Sequence, residues 1–405
     1  MTDALGAGGP PARVEYAVIG AGITGAAVAA RLARRGAAPL IVEAGAAAGG
    51  STGSSGGMVR CYDPDPVVAA LASASLAVYA DPGAWHTGVA PLHRTGAVTL
   101  APAADAGRLR KAAEELRGTA AGGVRVVSGE AVPEVLGVQR AGSAALVEPG
   151  AGWVDPVRVT AEYLREAVRY GARLVTGVRV TALGGDTGRG PGSGAGPGSV
   201  DGDGDGGPVV MTTSAGTVRV GRAVVLATGA WAARQPAGLA PPPSPASAVR
   251  IRAIQVSVVR RPPGVPAHAS FIDLRSGCYA KPAGGRDTLI GLPLLVWGGE
   301  AGSVPPADPA HHRRTLEAVR PHLAWIDRAE TVRMVRSFDG WGAAGGPLTP
   351  TRLPKVWLAR AGSGGGVRVA PELGRLIADQ LLSTPSAAPL PAGPGRGTDA
   401  RTNLL

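Results

Sequence analysis

The alternation of apolar and polar positions first marks a strand, a glycine turn and a helix close to the N-terminus. Residues 16–19 form a short apolar run, suited to a buried parallel strand, that ends on Gly20-x-Gly22-x-x-Gly25. An Ala/Leu-rich stretch up to Gly36 follows with helical character, and a second apolar run over 40–42 ends on Glu43. Further along, 66–80 carries apolar residues on one helical face, 92–100 alternates as a strand does, and 104–118 reads as a charged amphipathic helix. A helix over 159–170 precedes strands at 172–176 and 178–183. Strand character returns at 209–213, 217–220 and 223–231, and again at 250–259, 277–282 and 288–292, which together suggest a mostly antiparallel sheet. A helix over 309–320 follows. The last periodic unit is a strand from 354, the glycine-rich turn Gly362 to Gly366, and a helix over 370–382.

The first unit has the order that a dinucleotide site requires. Gly20 permits a tight turn, Gly22 lets the backbone approach a pyrophosphate, and Gly25 lets the helix sit close to the strand. Amides at the helix N-terminus then face the anion, and Glu43 is placed to accept hydrogen bonds from a ribose diol. The run 49–60, glycine- and hydroxyl-rich, offers many amides and little side-chain bulk, which suits a flat cofactor. Ala227-Thr228-Gly229 repeats the device of a strand passing into a turn of small residues, and the turn at 362–366 repeats it once more before a helix.

Composition narrows the class. A chain of 405 residues with 45% apolar content supports about two domains with substantial cores despite 63 Gly and 36 Pro. The formal charge is +11, carried almost wholly by arginine, since lysine occurs only at 111, 281 and 355. Those arginines are scattered without basic runs interleaved with aromatics, so no nucleic-acid surface is expected. Cys61 and Cys278 cannot form a disulfide framework or a four-ligand zinc site, which points to a reducing cytoplasm and to no metal. No apolar run approaches a membrane span, and residues 1–13 lack the apolar core of a signal peptide. The stretch 184–208 reads as a flexible hairpin insertion, 241–248 as a proline-rich link, and 386–405 as a disordered tail.

These residues together resemble the FAD-dependent D-amino acid oxidase superfamily, particularly its glycine oxidase and monomeric sarcosine oxidase branch. The likeness spans most of 14–382 and rests on the first glycine motif with Glu43, the loop ending in Arg60, Gly152-Trp-Val-Asp-Pro156, Ala227-Thr-Gly-Ala-Trp231, Arg252-Ala-Ile-Gln255, Tyr279-Ala-Lys-Pro282, and the segment from Thr349-Pro350 to Gly366. The resemblance implies an α/β fold: a discontinuous Rossmann-like FAD domain over 14–90, 150–240 and 335–385, with a mostly antiparallel-sheet substrate domain over 91–149 and 241–334. It implies FAD contacts from Gly20, Gly22, Ile23, Thr24, Gly25, Glu43, Ser51, Thr52, Gly57, Met58, Val180, Thr228, Gly229, Trp231, Gly362, Gly364, Gly365, Gly366 and Val367. It further implies hydride transfer to flavin from a C–H beside an amine or hydroxyl, with reoxidation by oxygen and release of peroxide. Relatives that attach flavin covalently use a cysteine before the C-terminal turn or a histidine near the first loop. Neither is present over 338–350 or 49–60, so noncovalent FAD is expected.

Tyr279 is the strand position that in the family projects over the flavin, and Lys281, two residues on, shares its face of a regular strand. Lys281 is a candidate cation for oxygen reduction and Arg60 a candidate active-site residue; a solvated strand lysine and a loop anchor are the plainer alternatives. Several relatives hold the substrate carboxylate with an arginine where this chain has Gly346, and Thr351 replaces an acid. Arg60, Arg252 or Arg336 could replace that anchor. Trp231 and Trp341 could line the pocket. The substrate implied is a small amine, imino acid or N-methyl amino acid. A 2-hydroxy acid oxidase, a noncatalytic flavoprotein subunit and a nicotinamide-dependent reductase are the alternatives, the last weakened because the turn at 362–366 is not part of a second complete Gly-x-Gly-x-x-Gly unit with its own acid.

Overall fold

The computed structural model describes residues 10–132, 137–138, 142–185, 207–233, 249–342, 346–360 and 362–383. Two eight-stranded sheets organise them. The spine of the first runs Leu348–Pro350, Val356–Ala359, Gly216–Leu226, Arg13–Ile19, Leu40–Val42, Arg173–Val175. Its pairings are parallel except at the Leu348–Pro350 edge. Val209–Thr213 and Val180–Gly185 extend it as an antiparallel branch. The strand Gly216–Leu226 merges the two runs expected at 217–220 and 223–231. Its first half pairs with the branch and its second half lies beside Arg13–Ile19. The expected insertion at 184–208 lies almost wholly outside the described residues, as do the link at 241–248 and the tail at 386–405.

Helix Ile23–Arg34 packs against Pro156–Arg169 and Gly366–Ser383, and its alanines are wholly buried. A Cβ on Gly374 would stand 2.9 Å from Ala27, so glycine there sets the close approach of two helices. Helix Gly366–Ser383 begins at the glycine turn itself, earlier than the apolar periodicity predicts. It contains Pro371, which cannot donate to the carbonyl four residues back. That acceptor, Val367 O, instead takes the Tyr79 hydroxyl at 2.6 Å.

The second sheet runs Glu330–Trp341, Arg250–Arg260, Asp287–Gly291, Tyr279–Pro282, Ser270–Asp273, Ala97–Pro102, Ser143–Glu148, Arg125–Ser128. It is antiparallel except where Ser270–Asp273 meets Ala97–Pro102. Helix Pro309–Val319 and the turn after it pack Val319, Leu323 and Trp325 on Phe271, Ala280 and Ile290. Three helices start on Asp-Pro, with Asp65, Asp155 and Asp308 accepting from first-turn amides.

Candidate active site

One cavity of about 870 Å³ extends from the Gly20 turn to the second sheet. At its first-sheet end Gly20 and Gly25 stand where a side chain would not fit. Gly20 has φ +105°, and a Cβ there would stand 2.6 Å from the Ala227 carbonyl oxygen, at the end of the neighbouring strand. A Cβ on Gly25 would collide with the Gly20 carbonyl. Gly22 is the N-cap of helix Ile23–Arg34 and brings no side-chain bond. The cap comes from afar: Thr52 Oγ1 accepts the Ile23 amide at 3.1 Å. Glu43 holds the turn from its other side, one oxygen accepting Ala21 N and the other Gly45 N, each at 2.8 Å. Each oxygen keeps a further lone pair for a ligand hydroxyl.

The loop ending at Arg60 is pinned to the second sheet, Ser51 Oγ donating to Phe338 O at 2.5 Å. Trp231, 41% exposed, lies with its ring so close to Gly50 that a Cβ would stand 2.9 Å from it. Arg60 is buried and donates to Tyr62 O, which Arg368 also reaches, at 3.3 Å. Arg368 sits in the first turn of helix Gly366–Ser383 and pairs with Asp63 at 2.6 Å. Burial, and then the charge of Arg368, push Arg60 down to about 10, so its guanidinium remains cationic at neutral pH. Glu148 is fully buried beneath them, accepting from Cys61 N at 2.6 Å and Tyr62 N at 3.2 Å.

The second-sheet end gathers Tyr279, Arg252, Asp339 and Trp341. Tyr279 pairs with Gly291, whose hydrogen leaves room for the phenol ring; a Cβ would collide with it. Burial and the nearby Asp339 carboxylate push the Tyr279 hydroxyl up to about 12, so it is a donor. Arg252 donates to Leu294 O at 3.1 Å, and its guanidinium lies 4.7 Å from the Trp341 ring and 5.4 Å from Trp297. Asp339, directly across the ladder from Arg252, accepts the Gly364 and Gly340 amides. Burial nevertheless pushes its carboxyl up to about 6.

Every residue expected at the cofactor lines this cavity except Gly25, which acts beneath the turn; Arg60 and Tyr279 line it too. Lys281 does not. It is buried with Nζ 3.9 Å from the Trp153 ring centroid and its side chain against Gly56, a residue of the cavity wall. Burial lowers it to about 8. Arg336 is away from the cavity, donating to Pro306 O at 3.2 Å. Trp231 and Trp341 both line it. Sequence reasoning missed Asp339 and Arg368. The available signal was a charge within otherwise apolar runs, Phe338-Asp339-Gly340-Trp341 and Gly366-Val-Arg368-Val-Ala370.

The fold and this cavity define a flavoprotein oxidoreductase. The sequence family of FAD dependent oxidoreductases matches residues 15–380, and the chain belongs to it. The fold is similar to glycine oxidase from Geobacillus kaustophilus, with a TM-score of 0.73 at 22% identity over 93% of this chain and 96% of that one. It is similar to L-proline dehydrogenase from P. horikoshii, at 0.75 and 19% over 92% and 94%. It is also similar to iminodiacetate oxidase from Chelativorans sp. BNC1, at 0.67 and 22% over 93% and 97%. No curated protein matches by sequence. Among the described residues no helix is long and apolar enough to cross a membrane.

Proposed function

We propose that this enzyme oxidises the C–N bond of a small amino acid, imino acid or N-methyl amino acid. The carrying observation is the buried Arg60–Arg368 pair in the wall of the cavity that begins at the dinucleotide turn. Two adjacent guanidiniums match a carboxylate, and they take the part of the anchor missing at Gly346. The family's cofactor fits the cavity, because glycines stand wherever a Cβ would narrow the turn and Glu43 offers acceptors to a ribose. Gly20, Gly22, Ile23, Thr24, Glu43, Ser51, Thr52, Gly57, Met58, Val180, Thr228, Gly229, Trp231 and 362–367 would hold FAD, with Gly25 supporting them from below. The domain division is read the same way, the first sheet carrying the dinucleotide and the second closing over the substrate. FAD, when bound, supplies the hydride acceptor.

The chain's own residues then orient and shield. Arg60 and Arg368 fix the carboxylate, Tyr279 donates a hydrogen bond from the second sheet, and Trp341 with Leu294 excludes water. Lys281 places a positive charge behind Gly56, where it favours oxygen as the acceptor. FAD is held without a covalent bond, so acid precipitation leaves the yellow colour in the supernatant; a yellow pellet refutes this. Neither cysteine forms a disulfide and both are buried, which suits a reducing cytoplasm. Anaerobic titration with libraries of amines and 2-hydroxy acids tests the substrate class. Bleaching of flavin absorbance by amino or imino acids alone supports it, and bleaching by hydroxy acids alone overturns it.

A further inference from the structure

The turn 362–366 separates two opposite charges in one cavity. A Cβ on Gly365 would stand 3.1 Å from Arg368 Nη2, and one on Gly364 would stand 3.9 Å from Asp339 Oδ2. Arg368, whose Nη2 also holds Asp63 at 2.6 Å, and the Asp339 carboxylate thus flank neighbouring residues whose Cα atoms are about 3.8 Å apart. That arrangement suits a molecule whose own opposite charges are two bonds apart. We propose that Asp339 is the counter-ion and proton acceptor for the substrate nitrogen, so that the cavity takes its substrate as a zwitterion with the carboxylate on Arg60 and Arg368. This rests on the reading of the enzyme as an amine oxidoreductase and names which form of the amine it recognises.

Geometry and chemistry support this role. Asp339 is held by two backbone amides, which fix its orientation without neutralising it. The titratable groups facing it are Arg252, from the neighbouring strand, and Tyr279, from beyond it in the same sheet. Arg252 is turned between Trp297 and Trp341 and bonded to Leu294 O, so Asp339 forms no ion pair with it among the described residues. Hydride can leave carbon only once the adjacent nitrogen has its lone pair. In the step assigned here, the N–H bond of the ammonium breaks and an O–H bond forms on Asp339, leaving neutral amine and neutral acid. In water that transfer is uphill. In a cavity that desolvates both ions, the neutral pair is relatively favoured and the cost falls.

The test uses the FAD-loaded enzyme and two isosteric ligands, glycine betaine and 3,3-dimethylbutanoate, which share a carboxylate and differ only in the cationic nitrogen. Dissociation constants come from the perturbation of flavin absorbance. The wild-type enzyme is expected to prefer betaine by about tenfold or more at pH 8. Asp339→Asn should abolish that preference while 3,3-dimethylbutanoate binds as before, and Asp339→Glu should restore part of it. With any amine that bleaches the flavin, the acid limb of the reduction rate should lie near pH 6, the carboxyl's value, and move to the amine's own pKa in Asp339→Asn. Absence of a betaine preference, or one that survives Asp339→Asn, overturns the proposal. If the preference is lost in Asp339→Asn but no amine bleaches the flavin, the cation site stands and amine oxidation falls. If amines bleach it and the limb does not move, Asp339 is not the proton acceptor.

Discussion

The two ends of the cavity are built by opposite means. At the first-sheet end the surface is backbone: Gly20, Gly22 and the amides around them, with Glu43 and Thr52 bracing the turn from outside. At the second-sheet end the surface is side chains brought from separate strands: Arg252, Tyr279, Asp339 and Trp341. A backbone surface tolerates almost no added atoms but needs no particular chemistry. A side-chain surface tolerates changes of shape and depends on charge. This difference says where substitutions should disturb folding and where they should disturb only function.

The largest effect should come from Gly25→Val, whose Cβ meets the Gly20 carbonyl with no flexible neighbour to give way. A loss of about 3 kcal/mol in stability is expected, together with FAD, read by thermal unfolding and by colour after purification. A stable yellow variant would break the comparison. At the other end Asp339→Asn should do the reverse and stabilise. The Asp339 carboxyl is pushed up to about 6 by burial, so the folded state binds the extra proton between about pH 4 and 6. Wild-type stability therefore falls as pH rises through that window, and the variant is spared the fall. At pH 8 the variant should be more stable by about 3 kcal/mol, and near pH 4 the difference should vanish.

Lys281→Met should slow flavin reoxidation by oxygen by about tenfold while leaving anaerobic reduction unchanged. Because burial lowers Lys281 to about 8, its effect should fade as pH rises above that value, where the wild-type amine is itself neutral. Equal reoxidation rates in both proteins at pH 7 would remove Lys281 from the reaction. The smallest effect on stability should come from Gly22→Ala, less than about 1 kcal/mol, because its Cβ meets only Thr52 Oγ1, at 3.2 Å, and that side chain can move. Its cost should fall on FAD affinity instead, measured by titrating the stripped protein with cofactor.

Much of the first-sheet end was legible along the chain. An apolar run, three glycines at fixed spacing, a helix and an acid after the next strand are all neighbours in sequence, and local sterics dictate each of them. Helix Pro66–Ala80 and the strands at 250–260 and 279–282 were equally readable, since periodicity is a local property. Helix Gly366–Ser383 was read late. Glycine and an internal proline argue against a helix locally, and only the Tyr79 hydroxyl, from a distant segment, supplies the missing bond to Val367 O.

By itself, then, the sequence determined the family's dinucleotide turn, the two kinds of sheet and the positions of Tyr279 and Arg60. It did not determine which arginine would stand beside Arg60 or that an acid would enter the cavity. Arg368 and Asp339 lie far from Arg60 and Tyr279 along the chain, and meet them only when the helix and the edge strand close on the same turn. Burial sets the charge of Asp339 and Lys281, and burial is a property of everything packed around a residue, which no local run of sequence contains.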